Sequence, residues 1–242
     1  LVYDIEVYPN LFVFSYTYVT IEELQQIYLN WSPSEMEERE AMHAFFNQLQ
    51  EPGRIRSLIN PSPEDLAHFI TRKLVDFNGR KYDHHILYAR YMGESLEQCY
   101  LRSQAIINGA RDIMGVGYIG SAWNMGYLDL YDLATEKQSL KKWEVKLHIP
   151  HMELNLPWDQ PVPESKWDEV AEYNRNDVGA TACLFAHLIQ IGDFATREII
   201  SNMSGLPVGQ TLRNHFAQII FQGEKEPQKD FVYTDLSQVF PG

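Results

Sequence analysis

The chain has 242 residues, 45% of them hydrophobic and 13% aromatic, which excludes a disordered chain and suffices to bury a full core. Its formal net charge of −13 argues against a protein that grips nucleic acid mainly by counterion release. It leaves room for an enzyme that acts on a nucleic-acid end through bound cations, because those reverse the local field.

Residues 1–8 and 10–19 read as two strands joined at Pro9-Asn10, a hairpin rich in Val, Tyr and Phe. A third short strand is expected around 26–30. Ser32-Pro33-Ser34-Glu35 is a capping box with Pro at the first helical position, and it opens a helix to about residue 50, where Pro52-Gly53 stops it. Ser62-Pro63-Glu64-Asp65 repeats the signal for a shorter helix to about 72. Residues 74–79 read as a strand ending at Gly79, and helical spacing resumes over 83–92 and again over 96–107. Five glycines between 109 and 126 mark a long loop. Residues 127–133 read as a strand, 139–147 as a short helix with a basic face, and 150–163 as a proline-rich connection. A long helix is expected from about 164 to 191, then helical sections over 193–203 and 208–222. The tail 223–242 is polar, with a strand-like Phe231-Val232-Tyr233. Strands interleaved with helices predict an α/β architecture, a mixed sheet flanked by helices.

No apolar run approaches the length of a membrane span, and the first residues do not read as a positively charged leader. Cys99 and Cys183 follow no metal-ligand spacing and suit a reducing compartment, so a cytoplasmic protein that packs both thiols is expected. The chain opens with Leu1 inside a core strand. A longer protein is therefore expected, with its missing bulk beyond Gly242.

Four acids carry the chemistry. Asp4 and Glu6 are two apart on the first strand, so both carboxylates point the same way. Two anions side by side repel, and a divalent cation offsets that. The plain alternative is a solvated strand face. Asp83 follows Asn78-Gly79-Arg80-Lys81-Tyr82 where a strand hands over to a helix, a position near strand ends that suits an active group. Its plain alternative is a helix N-cap. Tyr173 and Asp177 are four apart within the long helix and share a face. For Asp177 the plain alternative is a bond to backbone or to Arg175. Together Asp4, Glu6, Asp83 and Asp177 suit a pair of hard divalent ions, which stabilise attacking and leaving oxygens at phosphorus. Asp76, Asp129 and Asp132 are further acids nearby, expected on a polar strand side or in turns. His84 and His85 are expected on an exposed helix face.

These motifs resemble the DEDD 3′–5′ exonuclease superfamily, which has a ribonuclease H-like fold. Asp4-Ile5-Glu6 looks like its first motif, Asn78 to Asp83 like its second, and Tyr173 to Asp177 like its third. Tyr173, with Glu172 where the other branch carries His, points to the tyrosine branch. The likeness covers about residues 1–190, and 1–192 is expected to be the exonuclease domain. Ser139-Leu140-Lys141-Lys142-Trp143 and the run 162–170 look like proofreading domains of bacteriophage-type DNA polymerases. Residues 193–242 resemble the helical segment that joins such a domain to the polymerase body, whose own catalytic motifs are not visible.

The resemblance implies DNA hydrolysis from the 3′ end to nucleoside 5′-monophosphates with two Mg²⁺ or Mn²⁺ ions. Asp4, Glu6, Asp83 and Asp177 would be the metal ligands and Tyr173 would orient the water. Val7, Phe12, Asn78, Arg80 and Lys81 are the candidate substrate contacts. The implied partners are a single-stranded or frayed 3′ DNA end and a covalently linked polymerase domain in the cytoplasm of a host cell, with no membrane. Two alternatives stay open: an exoribonuclease of the same superfamily, and a non-catalytic exonuclease-like scaffold within a polymerase.

Overall fold

Alternating apolar residues form the hairpin at the start of the chain. In a computed structural model that describes residues 1–29, 35–111, 115–224, 226, 229 and 231–232, β1 (Val2–Tyr8) and β2 (Leu11–Thr17) pair antiparallel from Val2↔Thr17 to Tyr8↔Leu11. Every residue of β2 is buried, so both faces of the sheet are covered there. β3 (Arg56–Ile59) adds antiparallel to β2. On the other side of β1, β4 (Leu74–Asp76) and β5 (Tyr127–Asp129) run parallel to it. The described residues thus hold a five-stranded mixed sheet in the order β3-β2-β1-β4-β5.

Of the expected third strand at 26–30, residues 26–29 are instead the end of a helix, α1 (Ile21–Leu29), and Asn30 lies outside the described residues. Thr20 caps it, its hydroxyl accepting from Glu23 N at 3.0 Å. Glu22 and Glu23 sit in the first turn, where the helix dipole favours acids. Next come α2 (Glu35–Leu49) and α3 (Pro63–Ile70). The capping residues expected before α2 lie outside the described residues. The capping box of α3 forms as expected: Ser62 Oγ accepts from Asp65 N at 3.2 Å, and Asp65 Oδ2 accepts from Ser62 N at 2.8 Å.

Beyond β4 lie α4 (Asp83–Tyr91) and α5 (Leu96–Ile107). The strand expected over 127–133 stops at Asp129, whose side chain accepts from Tyr131 N at 2.9 Å and starts the short helix α6 (Leu130–Leu133). α7 (Leu140–Leu147) buries Trp143 and Leu147 and keeps its lysines outside. After one 3₁₀ turn, Glu164–Lys166, the 24-residue α8 (Trp167–Gln190) packs on β1 and β2.

Strand alternation sorts the core into two layers. Tyr3, Ile5, Phe12, Phe14 and Tyr16 join Leu66, Phe69, Ile86 and Leu87 of α3 and α4 on one face. Tyr8, Leu11 and Val13 join Val162, Val170 and Ala171 on the other. Asp4 and Glu6 have the parity of Tyr8, so they belong to the α8 face.

The chain divides into two compact units, Leu1–Ala195 and Thr196–Gly242. α9 (Asp193–Ser204) leads into the second, which holds α10 (Leu212–Phe221). There Arg197 is buried and donates to Gln210 O at 2.9 Å, and buried His215 bonds Ser204 Oγ at 2.7 Å. Phe231 and Val232 do not form the expected strand, and Tyr233 lies outside the described residues. Among the described residues no single helix is long and apolar enough to cross a membrane.

Candidate metal centre

The chain order reverses at β1: β2 and β3 build outward on one side, β4 and β5 on the other. In such sheets the crevice beyond the strand ends is the natural ligand site. Val2 pairs with Val75 and β4 ends at Asp76. Asp4 and Glu6 therefore extend past the end of their parallel neighbour, beside a cleft of about 400 Å³.

Helix α8 supplies the facing wall. One carboxylate oxygen from each of Asp4, Glu6 and Asp177 lies within 4.8 Å of the others. Asp83 lines the same cleft from the first turn of α4, on the opposite layer of the sheet, and stands outside that close trio. Asp83 is not the helix cap, a position held by Tyr82, whose side chain makes no capping bond and instead meets Ser103 Oγ at 2.6 Å. Tyr173 bonds the Asp177 carboxylate, as does the Asn176 side chain. Arg175 points elsewhere, to Ser57 Oγ at 3.1 Å.

Charge crowding shows in the titration of these groups. Burial, then Asp83, Asp177 and Glu6, hold Asp4 well above the usual carboxylate range. Glu6 is pushed up to about 8 by burial, then by Asp177 and Asp83, with Lys141 opposing. Asp177 is pushed up to about 7 by burial and then Glu144, with Tyr173 and Lys141 opposing. Asp83 is raised by burial, then by Asp76 and Asp129. Each carboxylate is raised by burial and by its anionic neighbours, a repulsion that a divalent cation would offset.

Two buried acids outside residues 78–83 build the turn that delivers Asp83. Asp129 accepts from Asn78 N at 2.8 Å and Arg80 N at 3.2 Å. Asp76 accepts from Gly79 N at 2.9 Å and pairs with His84 Nε2 at 2.6 Å. Burial lifts Asp76 to about 8 and lowers His84 to about 3, so the pair carries no net charge at neutral pH. A Cβ on Gly79 would sit 2.5 Å from Asp76 Oδ1 and 2.6 Å from its Cγ. Asp76 is fully buried and cannot retreat. Gly79→Ala should therefore cost about 1–3 kcal/mol. Thermal denaturation should show a drop of about 2–4 °C per kcal/mol.

Several expected positions change. His84 and His85 are fully buried, not exposed. His84 lies between Asp76 and the Tyr3 and Tyr127 rings, and His85 stacks on Tyr118 at 4.2 Å. Phe12 is fully buried in the layer opposite Asp4 and Glu6, because position 12 has the wrong strand parity to meet a substrate. Arg80 pairs with Asp132 at 3.1 Å, and Lys81 lies 5.5 Å from the Tyr131 ring centre. Neither lines the cleft, whereas Val7 and Asn78 do.

Other residues at the site were not foreseen. Asn174, buried one position after Tyr173, donates Nδ2 to Asp4 Oδ2 at 2.5 Å, and its Oδ1 has no partner among the described residues. Its i,i+3 spacing to Asp177 was the available signal. Buried Glu144 accepts from Asn176 Nδ2 at 3.1 Å and bonds His151 at 2.5 Å, which steadies the residue beside Asp177. Trp158, from the irregular connection, also lines the cleft.

No family model matches the chain, and searches of curated proteins and of solved structures find no similar protein either.

Proposed function

We propose that the chain is a metal-dependent 3′–5′ exonuclease of the DEDD superfamily, tyrosine branch, with a ribonuclease H-like first unit. It hydrolyses DNA from the 3′ end to nucleoside 5′-monophosphates, as the proofreading part of a phage-type DNA polymerase in the cytoplasm of a host. The observation that carries this reading is the convergence of Asp4, Glu6 and Asp177 within 4.8 Å, with Asp83 on the same cleft. The mixed five-stranded sheet with helices on both faces is compatible with that fold.

The donor set fits hard divalent cations: all-oxygen, anionic and mutually repelling. Asp4, Glu6 and Asp177 would hold one Mg²⁺ or Mn²⁺, and Asp4 with Asp83 would contribute to a second. Such ions supply a nucleophile at neutral pH and offset charge on the attacking and leaving oxygens. The chain's own groups do the positioning. Asn174 holds the Asp4 carboxylate and Tyr173 holds that of Asp177. Burial, then Asp177, Glu6 and Asp4, push the Tyr173 phenol further above its ordinary range. It therefore keeps its proton at neutral pH and acts as a donor that orients water, not as a base. Val7 and Asn78 line the cleft where the terminal nucleotide would lie.

The test is degradation of a 5′-labelled single-stranded DNA in Mg²⁺ or Mn²⁺, beside an RNA of the same sequence. Stepwise shortening from the 3′ end with release of deoxynucleoside 5′-monophosphates is expected. No cleavage of either strand in either metal would refute the nuclease reading, and preferential cleavage of RNA would replace DNA as the substrate. Tyr173→Phe should lower kcat by about tenfold or more and leave KM nearly unchanged.

A further inference from the structure

Trp158 lines the acid cleft, yet 62% of it is exposed. Among the described residues it has no hydrogen bond, ion pair or ring partner. Trp123, the other exposed indole among the described residues of this unit, meets the rings of His85 and Tyr118 edge-on. A large apolar ring left open to water beside a polar cleft is a feature to be explained by what it contacts.

Its backbone is firmly placed. Trp158 follows Pro157 in a turn closed by Gln160 N donating to Pro157 O at 3.4 Å. Four residues later, Val162 is clamped by Asn10 of the hairpin turn. Asn10 Nδ2 donates to Val162 O at 2.9 Å, and Val162 N donates to Asn10 Oδ1 at 2.8 Å. Trp167 Nε1 adds a bond to the same carbonyl at 3.1 Å. Upstream, His151 bridges Glu144 and Glu153. The connection is irregular but anchored downstream to the β1–β2 turn and α8, and upstream to Glu144 of α7, which itself bonds Asn176 of α8.

The cleft lining explains why an aromatic is needed. Among the described residues no lysine or arginine lines it, Lys141 close by is paired with Glu153 at 2.6 Å, and the chain carries −13. Phosphate neutralisation by protein side chains, the usual source of grip on a strand, is therefore weak here. Ions among the acids would hold one phosphate and leave the rest of the strand unheld. Stacking of a base on an aromatic face is the sequence-tolerant alternative.

We infer that Trp158 is a stacking platform for one nucleobase of the substrate strand, next to the phosphodiester that ions bound by Asp4, Glu6, Asp83 and Asp177 would hold. This rests on the nuclease reading above and deepens it: the substrate must be a strand with intact bases near its 3′ end. Binding should depend on stacking and little on salt, with a slope of log KM against log salt well below that of a basic nuclease.

The experiment uses the full chain and its Trp158→Ala and Trp158→Phe variants. Substrates are an oligothymidylate and copies with a single abasic site stepped through the last four nucleotides. Trp158→Ala should raise KM about 5- to 150-fold with kcat little changed. Trp158→Phe should recover most of that loss, and the melting temperature of both should match the parent. At one abasic position the parent should show a similar loss, and there Trp158→Ala should add nothing further. If the parent cleaves but the Trp158→Ala and abasic losses multiply at every position, the stacking role is wrong and the nuclease reading stands. If the parent neither cleaves nor binds the oligonucleotide, the nuclease reading fails and this inference fails with it.

Discussion

Asp4→Asn and Asp177→Asn should each lower 3′-end hydrolysis by about a thousandfold or more and raise the melting temperature of the metal-free protein. The two effects have one cause. Asp4, Glu6 and Asp177 hold their carboxylates within 4.8 Å of each other in a half-buried setting. Each replacement removes one charge from that cluster and leaves a side chain of the same shape. Asn174 can still donate to an amide oxygen at position 4. At about 5 Å and an effective dielectric near 20, one such repulsion amounts to about 3 kcal/mol between full charges. Partial protonation reduces this, so a gain of about 1–2 kcal/mol is expected. For a chain of this length that is about 2–8 °C. Catalysis loses a ligand of the ions that would generate the nucleophile, and about 4 kcal/mol of barrier is a thousandfold in rate. Turnover assays and thermal denaturation in chelator check both halves. A variant that is inactive and less stable would point to a structural acid, and one that stays active would remove the residue from the site.

Such acids were legible in the sequence because their geometry follows from local periodicity. A two-residue spacing on a strand and a four-residue spacing on a helix each define a shared face without any knowledge of the partner element. The hairpin and the capped helix α3 were legible for the same reason: their signals lie within a few residues. β3 was not, because Arg56–Ile59 is only four residues, half of them polar, and becomes a strand only by pairing with the fully buried β2. Residues 26–30 misled because Ile27 and Tyr28 favour strands, while the decisive cap at Thr20 lies upstream. His84-His85 looked solvated because their burial depends on Asp76, Tyr118 and Tyr127 arriving from other elements. Trp158 had no periodic neighbours at all. Its place at the cleft comes from the long-range clamp between Asn10 and Val162.

Metal should stabilise this protein more at about pH 8 than at about pH 6, and the metal-free protein should lose stability over the same rise. Glu6 sits at about 8 and Asp177 at about 7 in the folded chain, against ordinary values of 4.5 and 3.8. The folded state thus holds these protons more tightly than the unfolded state. The stabilisation this gives is fully present below about pH 4 and is lost as pH rises through about 7 to 8. Each unit of upward displacement is worth about 1.4 kcal/mol, so the loss amounts to several kcal/mol at most. Above that range the unpaired charges are what a divalent cation relieves. Below it the ion must displace protons, and apparent affinity should fall about tenfold per pH unit for each proton displaced. At 100 times the dissociation constant, Mn²⁺ adds about 2.7 kcal/mol. This corresponds to about 5–10 °C in melting temperature. Thermal melts with Mn²⁺ and with chelator across this pH range measure both trends. Asp177→Asn supplies the control, since it should flatten the metal-free profile and remove most of the response to Mn²⁺. A metal effect equal at both pH values, or larger at about pH 6, would place cation binding on other groups, because raised carboxylates must give up their protons before they can serve as ligands.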